Sequence, residues 1–207
     1  MSGVPFIISE TEGIEIGNEQ QVMKFGKLLN EFRFFDGKAK IIEADPHIRR
    51  TVQLVRESLD LVNKELNAPT GNESWSIEHG MQGKAFVCVY KSRIIGICST
   101  EKPQAGYWMV YETGSLVPNR KLDLQTGISR IYVSHKYRRH GIGLKLLQAV
   151  AKNSYYGLVL KGYQIGWSQP SQFGGFLARR FNGVKHIGSG KILIPVYKED
   201  EYLNGNK

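Results

Sequence analysis

Gly127-Ile128-Ser129-Arg130-Ile131-Tyr132-Val133-Ser134-His135-Lys136-Tyr137-Arg138-Arg139-His140-Gly141-Ile142-Gly143 is the stretch that decides how this chain reads. Ile128, Ile131 and Val133 are β-branched and Tyr132 is aromatic, the composition of a strand over 128–134. Beyond Gly143, Leu144, Leu147, Val150 and Ala151 follow the apolar spacing of an amphipathic helix. Between strand and helix lies a basic turn with two close glycines. Glycines let backbone N–H groups approach a ligand, and a helix N-terminus presents unpaired N–H groups with partial positive charge. Together they suit a pyrophosphate, with Arg138, Arg139 and His140 as further donors.

The spacing Arg-x-x-Gly-x-Gly from Arg138 to Gly143 matches the acyl-coenzyme A loop of the GNAT acetyltransferases. Alone, so short a pattern leaves a plainer alternative open, in which the glycines punctuate a strand–helix junction and the arginines are solvated. The dinucleotide fingerprint G-x-G-x-x-G is absent from this stretch, and no Lys-Ser/Thr follows as in a P-loop.

Working outward, 207 residues with 41% hydrophobic content are enough for one packed domain and an appendage. The net charge of +9 is uneven. Glu10, Glu12, Glu15 and Glu19 stand in the first 20 residues without a Lys or Arg, so the rest carries +13. A basic domain suits a polyanionic cofactor, acidic proteins or nucleic acid. Cys88 and Cys98 have neither zinc-site spacing nor a disulfide framework around them, and they read as small buried hydrophobes. No apolar run approaches the length of a membrane span and no basic signal-peptide region opens the chain, so a soluble intracellular protein is expected.

In chain order, residues 1–37 form an N-terminal segment whose Phe32, Phe34 and Phe35 could pack on the domain or dock a partner. A strand over 38–43 is followed by Asp45-Pro46 as a helix start. Ile48, Val52, Val55, Leu59, Val62 and Leu66 then mark a strongly amphipathic helix. Residues 84–90 and 94–100 read as a hairpin, 107–111 as a strand, and 114–126 as a loop around Pro118-Asn119. After the central stretch come a short strand over 164–168, a helix over 172–181 capped by Ser171, and a strand over 191–197. Pro195 argues for an edge or bulge position in that last strand. The tail, 199–207, is polar. The order suits a mixed sheet flanked by helices.

Six blocks resemble the cohesion-establishment acetyltransferases, fungal members most nearly. They are residues 127–133 with the Arg138-Arg139 turn, Ile165-Gly166-Trp167-Ser168-Gln169-Pro170-Ser171, Asn63-Lys64-Glu65-Leu66-Asn67-Ala68-Pro69, Gly83-Lys84-Ala85-Phe86-Val87, and the close from Gly190 to Tyr197. The resemblance implies an α/β (α+β) GNAT fold over 38–198, with a mixed, mostly antiparallel central sheet, a splayed strand and flanking helices. It implies acetyl-CoA as donor and lysines on the SMC head of cohesin as acceptors, in the nucleus during S phase. Binding to the replication sliding clamp and to chromatin are further family traits, although Gln20-Gln21-Val22-Met23 matches a clamp motif poorly. Family members commonly carry a Cys/Cys/His/His zinc finger upstream of this domain. No cysteine precedes Cys88, so no metal site is expected in this sequence. Gly3-Val4-Pro5-Phe6 resembles the segment just past that finger, so an N-terminally truncated chain or a late start is expected.

The resemblance also assigns residues. Backbone N–H groups of Ile131, Tyr132 and Val133 would meet the thioester and pantetheine, and Arg138, Arg139, His140, Gly141, Ile142, Gly143 and Leu144 the pyrophosphate. Ser171, Gln172 and Phe173 would lie on the other side of the cofactor. Ser129 and Gln169 would sit at the acceptor lysine. Animal members have aspartate at the position of Gln169. An amide is no general base at neutral pH, so Gln169 would orient the amine by hydrogen bonding. The proton would leave through water, by way of Ser129 or a carboxylate such as Glu101. Trp108 and Trp167 could line an acceptor groove or pack, and Tyr155-Tyr156 could be core or face the pantetheine arm. Arg179-Arg180 could meet an acidic partner or DNA, or stay solvated. The rival readings are a GNAT enzyme acting on another protein or a small amine, and a basic chromatin-binding module without turnover.

Overall fold

In a computed structural model that describes residues 13–70, 73–168 and 172–198, with backbone alone for 172–174, the strand predicted at 128–134 is the hinge of the sheet. The N-terminal part contains β1 (Ile14–Glu15), a short helix α1 (Glu19–Met23), β2 (Gly26–Phe34), β3 (Gly37–Ala44) and α2 (Arg49–Glu65). Next come β4 (Ala85–Tyr90), β5 (Arg93–Glu101), β6 (Gly106–Val110), β7 (Leu116–Leu122) and β8 (Thr126–Val133). The chain continues through α3 (Ile142–Asn153), β9 (Ile165–Ser168), α4 (Gln172–Asn182), β10 (Val184–Lys185) and β11 (Ile192–Tyr197). Among the described residues these strands make one sheet in the order β2-β3-β4-β5-β8-β9-β11-β6-β7, with β1 on β5 and β10 on β11. Among the pairings of the described residues, β8–β9 and β9–β11 alone are parallel. This is the mixed, mostly antiparallel sheet that the resemblance implies.

Alternation of side chains gives the sheet two apolar faces. Val87, Val89, Ile97 and Tyr132 pack against Leu54, Val55, Leu59 and Val62 of α2. Cys88, Cys98, Ile128, Trp167, Ile194 and Val196 pack with Leu146, Leu147 and Val150 of α3 and Ala178 of α4. The centre of the α2 stripe is as predicted, whereas Leu66 at its end is 40% exposed. In α3 the buried stripe is completed by Ile142, Leu146 and Ala149, while Leu144 is only half-buried.

Four local expectations are corrected. First, the sheet continues before Lys38: β2 pairs with β3 along its length, and the chain before it runs beneath α2. There Thr51 Oγ1 donates to the Phe25 carbonyl at 2.9 Å and Arg50 to the Ile16 carbonyl at 2.8 Å. The register shifts between Leu28 and Asn30, a bulge that breaks the two-residue alternation of this edge strand. Second, Asp45 does not cap α2. Its Oδ1 accepts from the His47 N–H in a turn, and the helix begins after Ile48. Third, the loop expected at 114–126 holds β7, an edge strand whose pairing with β6 shifts between Tyr107 and Met109. Pro118 and the left-handed Asn119 (φ 61°) occupy the resulting bulge. Fourth, β11 is an interior strand. Pro195 lies where its neighbour changes from β10, at Leu193, to β9, from Val196 onward.

Cys88 and Cys98 are fully buried in the α3 face. Burial pushes the Cys88 thiol from its ordinary value of 9.0 up to about 12 despite the opposing charge of Lys145, and raises Cys98 as well. Neither thiol is expected to react with a thiol reagent at pH 8 until the protein is unfolded, which a timed colorimetric assay with and without denaturant measures. Because the folded values lie above the unfolded one, their contribution to stability is complete below pH 9.0 and declines as pH rises toward 12.

Candidate active site

The site follows from one mismatch in strand length. Among the described residues, β8 pairs with β9 at Thr126, Gly127 and Ile128 alone, while on its other side β8 stays paired with β5 as far as Val133. Beyond that pairing, residues 131–133 border a cleft of about 480 Å³. Ile131, Tyr132 and Val133 form its floor, and Arg138, Arg139, Gly141, Ile142, Gly143 and Leu144 one end. The last turn of α2 (Glu65, Leu66) and α4 (Phe176, Leu177, Arg180) contribute the sides. Phe176 is 65% exposed there, an apolar side chain that the core does not use.

The turn at the end of the cleft has the geometry the sequence suggested. Gly141 is left-handed (φ 81°) at the N-cap of α3, preceded by a left-handed Arg139 (φ 64°). No side chain caps α3 and no acidic residue stands in its first turn, so its leading N–H groups face the cleft with their partial positive charge intact. A Cβ added at Gly141 would meet nothing within 4 Å, so that glycine answers a backbone demand. Gly143 serves a different purpose, since its Cβ would come within 3.1 Å of Leu177 where α3 approaches α4. Arg138 closes the strand end: its Nε donates to the Val133 carbonyl at 2.9 Å, and its guanidinium lies 5.1 Å from the Tyr132 ring centre.

His140 departs from its expected place. Its ring packs edge-on against Phe35 at 4.8 Å and near Phe34 at 5.9 Å, and it does not line the cleft. The end of β2 and the turn after it, which the sequence reading placed in the N-terminal segment, supply that aromatic surface. Gln169 and Ser171 lie outside the described residues, as do the side chains of Gln172 and Phe173 at the start of α4. Trp167 is core, its Nε1 donating to Asn182 Oδ1 at 2.8 Å. Tyr155 Oη donates to the Gln125 carbonyl at 2.6 Å, and Tyr156 is fully exposed.

Ser129 occupies a bulge, for Arg130 pairs with Ser99 and Ile128 with Thr100, leaving Ser129 as the extra residue. It is 6% exposed, and its carbonyl accepts from Ser168 Oγ at 3.1 Å and from Arg130 Nη1 at 2.8 Å. Single-residue reasoning overlooked Arg130. Buried on the α2 face, its guanidinium also donates to Asn63 Oδ1 at 2.6 Å and to the Pro69 carbonyl at 2.9 Å. That explains why residues 63–69 and 127–133 belong to one set of motifs. Elsewhere, Glu73, Glu78 and His79 group within 4.8 Å, and Arg56 pairs with both carboxylates at 3.0 Å, offsetting one of their two charges.

Comparison with known proteins bears on this geometry. Residues 123–190 match the family model for the ESCO1/2 acetyl-transferase, and residues 56–154 that of the GNAT acetyltransferase family. The N-acetyltransferase ECO1 of Candida glabrata is 36% identical over 201 residues, covering 94% of this chain and 74% of that protein. This chain belongs to the ECO1 N-acetyltransferase family. The Debaryomyces hansenii member is 44% identical over 167 residues, 77% of this chain, and the chain spans 58% of that relative's length. Among solved structures, the xEco2 acetyltransferase domain bound to a K105-CoA conjugate superposes with a TM-score of 0.66 at 25% identity, covering 83% of this chain and 98% of that one. The family has the GNAT fold, and the parted strands β8 and β9 are its splay in this member.

The Arg130 clamp generates a stability prediction. Lysine at this position keeps the charge but cannot span three acceptors on two segments. Arg130→Lys is expected to lower the unfolding free energy by about 2 kcal/mol. A urea titration checks this, and an unchanged midpoint would show that the clamp contributes nothing.

Proposed function

We propose that this domain is an acetyltransferase that moves the acetyl group of acetyl-CoA to the ε-amine of a protein lysine. The observation that carries the reading is the open edge of β8 leading directly to an uncapped helix N-terminus with a left-handed glycine. The co-substrate has a matching shape: a pantetheine arm of amides that can bond a strand edge, and a diphosphate that suits helix N–H groups. In this reading Ile131, Tyr132 and Val133 offer backbone groups to the arm and thioester, and Arg139 with Gly141 to Leu144 receive the diphosphate. The thioester supplies an activated acyl group, and strand N–H donors polarise its carbonyl. Ser129, in its bulge at the root of the parting, orients the acceptor amine together with Gln169.

The acceptor we propose is a lysine on the SMC head of cohesin, so that the protein establishes sister-chromatid cohesion in the nucleus. Family membership supports this, as does the CoA conjugate carried by the xEco2 domain. The dependence on a backbone loop distinguishes this reading from a basic chromatin-binding module, since electrostatic DNA binding requires no such turn.

Two substitutions separate binding from turnover. Gly141→Asp sets a carboxylate against the diphosphate and also strains the left-handed N-cap, and it is expected to weaken acetyl-CoA binding about 100-fold, roughly 2.7 kcal/mol, by titration calorimetry. Normal affinity in this variant would show that the diphosphate binds elsewhere. Ser129→Ala is expected to lower turnover on the SMC head about 10- to 100-fold at unchanged acetyl-CoA affinity. Parallel loss of both would assign Ser129 a structural role.

A further inference from the structure

The lysine acceptor arrives as an ammonium and must lose a proton before it can attack. Neither residue assigned to it supplies a base: the Gln169 amide accepts no proton at neutral pH, and a serine hydroxyl is itself a weak acid. We propose that Glu101 takes that proton, with Tyr197 as the residue that positions its carboxylate; the inference rests on the acetyltransferase reading above.

Glu101 ends β5 and is only 7% exposed, unusual burial for a glutamate. It lies opposite Gly127 of β8, and Gly127 lies opposite Gly166 of β9. These two glycines clear the sheet surface between Glu101 and β11. A Cβ on Gly127 would stand 2.6 Å from Tyr197 Cζ, and one on Gly166 would stand 3.3 Å from Tyr197 Cδ1. Tyr197 therefore lies across both strands, and its Oη donates to Glu101 Oε1 at 2.6 Å.

The same register connects this pair to the acceptor residue. Tyr197 is the strand partner of Ser168, whose Oγ donates to the Ser129 carbonyl at 3.1 Å. Ser99, opposite Arg130, and Glu101 alternate onto one face of β5, so Glu101 shares the face on which α2 and the Arg130 clamp lie. Glu101, Tyr197 and Ser168 thus surround the root of the β8–β9 parting, where Ser129 bulges. A carboxylate held there by a rigid phenol, on a surface kept flat by paired glycines, is a fixed proton acceptor rather than a solvated side chain.

The step balances as follows. Glu101 takes a proton from the lysine ammonium. The neutral amine forms the C–N bond at the acetyl carbonyl while the C–S bond breaks. The second amine proton leaves on the thiolate sulfur, and Glu101 returns its proton to water.

Glu101→Gln keeps an oxygen for the Tyr197 hydroxyl and loses the capacity to take a proton. On the purified SMC head its turnover is expected to fall about 100- to 1000-fold, with acetyl-CoA affinity by calorimetry and the thermal unfolding midpoint both as in wild type. Replacing the mapped acceptor lysine by cysteine and aminoethylating it gives thialysine, a less basic amine. The Glu101→Gln defect is expected to shrink at least tenfold on that acceptor, because less basicity leaves less for the base to do. Tyr197→Phe, which keeps the ring over Gly127, is expected to lower kcat by a smaller factor without raising KM. Wild-type turnover in Glu101→Gln, or equal defects on the two amines, would overturn the proposal. A wild-type protein that binds acetyl-CoA but leaves the head unmodified would instead overturn the acceptor assignment, and this inference with it.

Discussion

A sheet strand that loses its neighbour halfway along presents unpaired backbone donors and acceptors, and a folded protein cannot bury these without partners. Among the described residues, β8 parts from its neighbour β9 in this way. Its first three residues are held by β9, and Ile131, Tyr132 and Val133 line the cleft. The site depends on that constraint. In the proposed reading, backbone polar groups that would be costly inside an ordinary sheet become a receptor for a ligand rich in amides and phosphate oxygens.

Keeping the strands apart requires support on both faces, and the structure supplies it with different chemistry on each. On the α2 face, Arg130 ties the Ser129 carbonyl to Asn63 and Pro69, anchoring the parted strand to the end of a helix. On the opposite face, Ile128, Trp167 and Val196 pack beneath α3 and α4, and Trp167 is fixed by Asn182, which also bonds the Ile165 and Gly162 carbonyls. Gly127 and Gly166 leave room for Tyr197 one row before the last pair of the two strands. Clamp and bulge thus meet at Ser129, the residue proposed to face the acceptor.

Features written in neighbouring residues were legible in the sequence. The β8–turn–α3 unit, the β4–β5 hairpin and the α2 stripe each announce themselves within about fifteen residues, through β-branching, close glycines or helical spacing. The backbone role of Gly141 could be anticipated for that reason. β2 was obscured because a bulge at Leu29 interrupts its alternation, and β7 because Pro118 and Asn119 are turn residues that an edge bulge also tolerates. His140 was drawn into the diphosphate loop by its position, although its ring answers to Phe35, over a hundred residues earlier in the chain. The Arg130 clamp escaped a residue-by-residue reading because its partners stand 61 and 67 residues away. Its trace was present only in the family resemblance, where the two segments appear as separate motifs.

The claim at the centre of this account is that backbone, more than side chain, receives the co-substrate. Amide hydrogen exchange with and without acetyl-CoA, resolved to short peptides, measures it most directly. Slower exchange confined to Ile131–Val133 and Arg139–Leu144 is the predicted result. Saturating ligand with no added protection in those two segments, or protection concentrated elsewhere, would contradict it.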